Sequence, residues 1–345
     1  MRALVLVLVI VAFGLRLLNI GVSDFWGDEA ASYCFSRQSL LDLFSDIARD
    51  EPHPPFYYTL LHFWIALLGK SEFALRFPSA LAGVGLVAAM YGLGRRLAGG
   101  RLGVAAALVA TLHPWQVWYS QEARMYIFGA AFGVLSTLLY LRLLDRRAES
   151  SVGSAAAPSP AVMAGYVAVT WLGMLSHYYV LFVVLFQNAH FLLMARRWRG
   201  VGLRRWLVLQ AALALLFLPW PLFAWRIFFV YRKIVTGQVA FAEVLRTFAA
   251  TSAAGWTLDG NAALVAAAAL LPLLAQGLWW LRRRRVLTLP LLYFVVPLAA
   301  AFLFSIARPA FEARYFFIGL IMADASLTAV STIVGGLTGG RLADF

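Results

Sequence analysis

Apolar runs of membrane-spanning length recur along this chain, separated by short polar segments. A helix needs about 17–25 apolar residues to cross a bilayer's hydrocarbon core. Ten runs meet that length, near residues 3–20, 77–97, 102–119, 124–144, 161–177, 178–195, 206–224, 262–281, 286–305 and 315–333. In hydrocarbon the backbone must satisfy its own hydrogen bonds, so each run is expected to be helical. The pattern predicts an all-α polytopic membrane protein of about ten transmembrane helices. Two further segments are too short to span. Leu40, Leu41, Leu43, Phe44 and Ile47 recur at helical spacing with Asp42, Asp46 and Asp50 facing away, the pattern of an amphipathic helix lying at the interface. The stretch 55–69 is apolar, and Pro54-Pro55 suits a first helical turn, so it is expected to be a second interfacial helix. Phe241, Val244, Leu245 and Phe248 mark a third. The first run ends without a small-x-small cleavage pattern and is expected to be a retained helix.

Composition agrees with this pattern. Of 345 residues, 62% are hydrophobic and 13% charged, and the mean hydropathy is +0.79. A soluble domain of this size could not bury that much apolar surface. The net charge is +13, and every basic residue but Lys70 and Lys233 is arginine. The arginines cluster in alternate short loops: Arg95, Arg96 and Arg101; Arg142, Arg146 and Arg147; Arg196, Arg197, Arg199, Arg204 and Arg205; and the run Arg282 to Arg285. Arg2 and Arg341 fall on the same side. Membrane orientation accounts for this charge better than nucleic acid does, and these loops are expected to be cytoplasmic. The lone cysteine, Cys34, excludes an internal disulfide and a Cys-based metal site.

The chemistry-bearing clusters then share the opposite, exoplasmic face. These are Asp28-Glu29, His53-Pro54-Pro55 with Tyr57-Tyr58, Glu122, Arg124 and Tyr126, His177-Tyr178-Tyr179, and Glu312 to Tyr315 with Arg314. The segment 24–58 alone holds 7 of the 16 acidic residues. Each cluster has a plain reading and a chemical one. Asp28-Glu29 is either an acid pair facing water or a general base on a turn, its neighbour pairing with a cation. His53 is part of a proline turn and aromatic belt, or is aimed at a substrate by a rigid elbow. Glu122 and Arg124 open a helix, or Arg124 holds a phosphate through its planar fork. Arg314 invites the same reading. Arg76 either does likewise or snorkels to headgroups, as Arg16 is expected to do. His177 is an interface anchor or part of the site. The stretch 148–161 reads as a cytoplasmic linker between an N-terminal catalytic half, 1–147 with its first exoplasmic loop at 21–76, and a C-terminal half, 162–345.

Trp26-Gly27-Asp28-Glu29, His53-Pro54-Pro55-Phe56-Tyr57-Tyr58, Arg76-Phe77-Pro78-Ser79 and Ser120-Gln121-Glu122-Ala123-Arg124-Met125-Tyr126 follow in an order that resembles the GT-C superfamily of integral membrane glycosyltransferases. The resemblance is to its family 39-like group, which includes protein O-mannosyltransferases and aminoarabinose transferases. It implies a polyprenyl-phosphate sugar as donor, and an inverting transfer of mannose or a related sugar to an exoplasmic acceptor, whether glycan, lipid or protein. The place would be the cell membrane. It implies Asp28 as the catalytic acid position, with Glu29 beside it. Arg124 and Arg314 would meet the phosphate. Glu29, His53 and Tyr57 would shape the cleft, with Tyr58, Glu122, Tyr126 and His177 around them. Some relatives use a divalent metal and others none. A transporter or flippase of lipid-linked sugars is the alternative, and it would place ionisable residues near the bilayer midplane on repeated halves. Here no repeat is seen, and the acids gather at one surface.

Overall fold

The computed structural model describes residues 2–144, 158–194, 201–230, 260–283 and 287–307, with a few isolated positions between 242 and 258. Among these residues all regular structure is helical. In chain order the helices are α1 (Arg2–Leu17), α2 (Gly27–Ser36), α3 (Leu40–Asp50), α4 (Phe56–Leu68), α5 (Glu72–Ala98), α6 (Gly100–Leu112), α7 (Pro114–Ser120) and α8 (Tyr126–Leu144). They continue with α9 (Pro160–Ser176), α10 (Val180–Met194), α11 (Leu203–Phe217), α12 (Pro219–Phe223), α13 (Trp225–Phe229), α14 (Gly260–Arg283) and α15 (Thr288–Ala307). The expected run at 315–333, the helix around Phe241 to Phe248 and most of the 148–161 linker lie outside the described residues.

Helix α5 is the hub, packing against α1, α6, α7 and α8. It crosses α6 at very short range. A Cβ on Gly94 would stand 2.8 Å from the Leu102 carbonyl, and one on Gly103 2.8 Å from the Tyr91 carbonyl. Small residues at such a crossing let two backbones approach, the usual way helices pack in lipid. On the far side α8, α9, α10 and α11 share a buried polar belt. The Gln187 amide donates to Ser136 (3.0 Å) and accepts from the Tyr166 hydroxyl (2.8 Å). Gln210 donates to Tyr166, Asn188 to Gln210, and Trp206 to Asn188. Interhelical bonds of this kind hold helices together where water cannot compete.

Three expectations are corrected. The run at 102–119 is two helices, because Pro114 breaks it after His113. On α3 the buried face is Leu43, Ile47 and Ala48, whereas Leu40 and Leu41 are exposed. Arg16 does not snorkel. It is fully buried, and its guanidinium donates to the carbonyls of Ala110 (2.9 Å), Thr111 (3.4 Å) and Ala12 (3.2 Å) and to Ser120 Oγ (3.1 Å). The expected short helix at 55–69 is present as α4, whose 13 residues reach about 20 Å, short of a bilayer core of about 30 Å.

Proline leaves a carbonyl without its helical donor four residues earlier. Pro78, inside α5, orphans the Ala74 carbonyl, and the Trp64 indole of α4 donates to it at 2.8 Å. This bond ties the short helix to the hub. Trp64→Phe should therefore destabilise the detergent-solubilised protein by about 1–3 kcal/mol, the cost of an unsatisfied buried acceptor. Adding Pro78→Ala, which returns an N–H to that carbonyl, should recover most of the loss in thermal unfolding. Equal losses with and without Pro78 would sink this account of the bond.

Candidate functional site

Segments from six parts of the chain meet at one end of the bundle: α2, the connection from α3 to α4, α4 itself, the N-terminal turns of α5, the bend at 121–125 leading into α8, and the turn between α9 and α10. Asp28 and Glu29 stand in the first turn of α2, where the positive end of the helix dipole favours acids. The sequence pattern predicts a turn here, and the structure has a ten-residue helix. Consecutive helical residues point in different directions, so the pair divides.

Glu29 turns inward and is 1% exposed. Both of its oxygens bind Arg76, at 2.8 Å to Nε and 2.7 Å to Nη2, a bidentate fork. Glu29 Oε1 also accepts the backbone N–H of Ala123 at 2.8 Å. Arg76 completes its set on the carbonyls of Ile20 (2.8 Å), Ser23 (2.9 Å) and Asp24 (3.1 Å). The loop after α1, the start of α2, α5 and the 121–125 bend are thus tied at one point. Arg76 belongs to this staple and does not snorkel.

Asp28 stays half-buried, and its backbone carbonyl accepts from Arg124 Nη1 at 3.1 Å. Arg124 is 3% exposed. Its Nη1 also reaches Ser32 Oγ (3.2 Å) and the Tyr58 hydroxyl (3.3 Å), and its Nη2 lies 3.5 Å from His53 Nδ1. Its Nε has no hydrogen-bond partner. Burial opposes the charge of Arg124, but Tyr58, Tyr126, Glu51 and Asp28 outweigh burial, and the guanidinium stays protonated. Beside it, Glu51 bonds His53 Nδ1. Burial pushes the Glu51 carboxyl up, yet His53 and Arg124 prevail and hold it below the usual carboxylate range.

The His53 ring lies 5.6 Å from that of His177 and 6.0 Å from Tyr126. Tyr126 also faces His177, and Arg124 sits 5.8 Å from its ring centre. Burial first, then the charges of His53 and Arg124, keep His177 well below the usual histidine range, so its imidazole is neutral. Of the residues expected from the sequence, Asp28, His53, Tyr58, Arg124, Tyr126 and His177 therefore come together. Tyr57 turns its ring to Phe128, behind this group. Glu122 accepts the Trp118 indole N–H at 2.6 Å. Arg314 lies outside the described residues. Sequence reading missed Glu51 and Ser32. Two signals were available: Glu51 stands two residues before His53, and Ser32 stands one helical turn after Asp28. Among the described residues no group of three or more His, Cys, Asp or Glu side chains is placed to hold a metal ion.

Two outcomes follow from these charges. Glu29→Gln leaves Arg76 buried without its counter-ion and should destabilise the protein by about 3 kcal/mol, the low end for a broken buried pair because Arg76 keeps its carbonyls. Denaturant unfolding measures this. The depressed Glu51 carboxyl stabilises the fold fully above the ordinary carboxylate pKa of about 4.3, and that contribution is lost as pH falls through its lowered value. Thermal midpoints recorded against pH should thus lose part of their acid slope in Glu51→Gln.

Residues 52–225, half of the chain, match the family model described as dolichyl-phosphate-mannose-protein mannosyltransferase. A comparison with curated proteins gave no match. Among solved structures, the chain resembles ArnT from Cupriavidus metallidurans in the apo state, with a TM-score of 0.66 at 18% identity, over 96% of this chain and 59% of that one. ArnT bound to undecaprenyl phosphate gives 0.66 at 17% identity, over 97% and 62%. The archaeal oligosaccharyltransferase AglB from Archaeoglobus fulgidus, in complex with an inhibitory peptide and a dolichol-phosphate, gives 0.57 at 14% identity, over 99% and 52%. At such identities the likeness is one of fold, and the chain spans about three-fifths of the length of ArnT. The helical membrane fold and the matched half together place this chain in the dolichyl-phosphate-mannose-protein mannosyltransferase family, within the GT-C superfamily of integral membrane glycosyltransferases.

Proposed function

We propose that this protein moves a sugar, mannose or a relative of it, from a polyprenyl-phosphate donor to an acceptor hydroxyl on the exoplasmic face of the cell membrane. The acceptor would be a glycan, lipid or protein. The observation that carries this reading is the pairing of Asp28 with Arg124. A buried guanidinium with an uncommitted Nε touches the backbone carbonyl of a half-buried acid. A cation beside a carboxylate is what an inverting displacement at a sugar phosphate needs.

In this reading the acceptor hydroxyl gives its proton to the Asp28 carboxylate. Its oxygen attacks the anomeric carbon from the side opposite the phosphate, and the carbon–oxygen bond to the phosphate breaks. The departing electron pair stays on the phosphate, where Arg124 stabilises it. Configuration inverts. The phosphate is already a good leaving group, so no strong general acid is required. Neutral His177, with Tyr126 and His53, would wall the pocket. Glu29 would position rather than react, since both its oxygens are engaged. Arg314 is a second phosphate ligand in this proposal, carried over from the resemblance alone. Residues 1–147 would form the catalytic half, and the arginine-rich loops would keep the site exoplasmic.

The decisive assay is sugar release from a panel of radiolabelled polyprenyl-phosphate sugars by purified protein. Asp28→Asn, nearly isosteric, should lower turnover by about 10²–10⁴-fold, the range for a lost general base. Normal turnover in a correctly folded Asp28→Asn protein would remove Asp28 from that role. Arg124→Ala should weaken donor use more than acceptor use, and a change confined to the acceptor KM would contradict the phosphate assignment.

A further inference from the structure

Arg16 lies outside the cluster just described, yet it is among the most thoroughly bonded side chains in the protein. Pro114 removes the N–H that would serve the Ala110 carbonyl in a continuous helix. Arg16 Nη2 donates to that carbonyl at 2.9 Å, and Nη1 reaches the next one, Thr111, at 3.4 Å. Its Nε holds Ser120 Oγ, the last residue of α7, and Ser120 in turn donates to the Gln116 carbonyl. All four hydrogen bonds of Arg16 go to neutral oxygens. The arrangement is returned from the other side. Gln121 Nε2, at the end of α7, donates to the carbonyls of Leu15 (3.2 Å), Arg16 (3.4 Å) and Leu18 (2.8 Å) at the end of α1. Arg16 of α1 thus caps the end of α6, and Gln121 after α7 caps the end of α1.

Space for this clasp is reserved. A Cβ on Gly83 of α5 would fall 2.1 Å from Ser120 Oγ and 2.7 Å from Arg16 Nε. The bend that begins at Gln121 carries the Ala123 N–H to Glu29 and then Arg124 to Asp28, Ser32 and Tyr58. Only three residues separate Ser120 from Arg124, too few to absorb a shift of α7.

We infer that Arg16 is a positioning residue: by capping the carbonyls that Pro114 orphans and clasping Ser120, it sets the 121–125 bend and so aims the Arg124 guanidinium at the donor phosphate. The inference rests on the proposed phosphate role of Arg124. A charge this deep is costly, and a merely space-filling role would not require a guanidinium with three separate nitrogens engaged.

The test is the affinity of the full-length, detergent-solubilised protein for undecaprenyl phosphate, with undecaprenol as the control lacking the phosphate. A loss of folded fraction weakens apparent binding of both lipids alike, so the undecaprenol control separates it from the effect. Arg16→Gln should weaken undecaprenyl phosphate binding by about 10-fold, within the cost of misplacing a binding group by about an ångström, and leave undecaprenol unchanged. In an Arg124→Ala background the same substitution should cost nothing further, because the two act as one unit. If Arg16→Gln does not fold, Ser120→Ala removes the Nε acceptor, together with the local bond from Ser120 to the Gln116 carbonyl, and should weaken phosphate binding by about 3-fold, again only when Arg124 is present. Unchanged affinity in both Arg16→Gln and Ser120→Ala, or effects that add to that of Arg124→Ala, overturn the inference while the phosphate role stands. Unchanged affinity in Arg124→Ala itself overturns that role, and the inference with it.

Discussion

A helix in hydrocarbon has no water to satisfy a carbonyl that loses its donor. Proline creates such carbonyls, and at Pro78 and Pro114 a side chain from another helix answers. Pro78 orphans Ala74, and Trp64 answers from α4. Pro114 orphans Ala110, and Arg16 answers from α1. These bonds are long-range constraints as well as local repairs. Each fixes the register of one helix against another at the level where the backbone changes direction. The candidate cluster is built at such changes of direction, on short helices and bends rather than on the spans.

The staple of Glu29 and Arg76 works on the same scale with charge. Taking both ions out of water is expensive, and their attraction compensates only with good geometry and further hydrogen bonds. Here the fork is bidentate, the third acceptor site of Glu29 takes the Ala123 N–H, and Arg76 meets the carbonyls of Ile20, Ser23 and Asp24. The loop from α1 into α2 has no apolar core of its own to hold it. Its place is set by carbonyls turned toward one guanidinium. Arg124 then holds α2 through the Asp28 carbonyl in its first turn and Ser32 one turn on, so that two arginines orient a ten-residue helix between them.

Much of the architecture was legible from the spacing of apolar residues. The hairpin turning at His177 to Tyr179 and the short helix after Pro55 both follow from run length and proline placement. The break at Pro114 was also written in the sequence, but a continuous apolar run from 102 to 119 hides it when hydropathy alone is counted. Helix α2 is harder. Its ten residues mix Gly, Ala, Ser and acids with no apolar stripe, and the helix is held by Arg76 and Arg124, which lie far along the chain. Position does not reveal the partner of a buried arginine either. Arg16 and Arg76 both sit near helix ends where snorkelling is the simplest reading, and only the fold brings the Ala110 carbonyl to one and Glu29 to the other. Of the expected site, Asp28, His53, Arg124, Tyr126 and His177 were found because unusual residues fell on one face. Glu51 and Ser32 were missed because an acid in an acidic loop and a serine in a short helix look ordinary.

The contrast between the two arginines bears on the proposed chemistry. Arg76 is saturated: a carboxylate neutralises it and carbonyls fill the remaining donors. Arg124 donates to a carbonyl and two hydroxyls, which orient its plane, and its Nε is uncommitted. Burial opposes that charge, but the neighbouring Tyr58, Tyr126, Glu51 and Asp28 outweigh it and keep the guanidinium protonated. Asp28 lies near enough to raise the affinity of Arg124 for its proton, yet it is only half-buried and open to solvent on one side. In the proposed reaction one acid must take a proton, while the other must hold the scaffold. Placing the acid pair on a helix separates the two tasks. One turn of α2 gives Glu29 to the scaffold and sets Asp28 beside the Arg124 guanidinium that the scaffold has oriented.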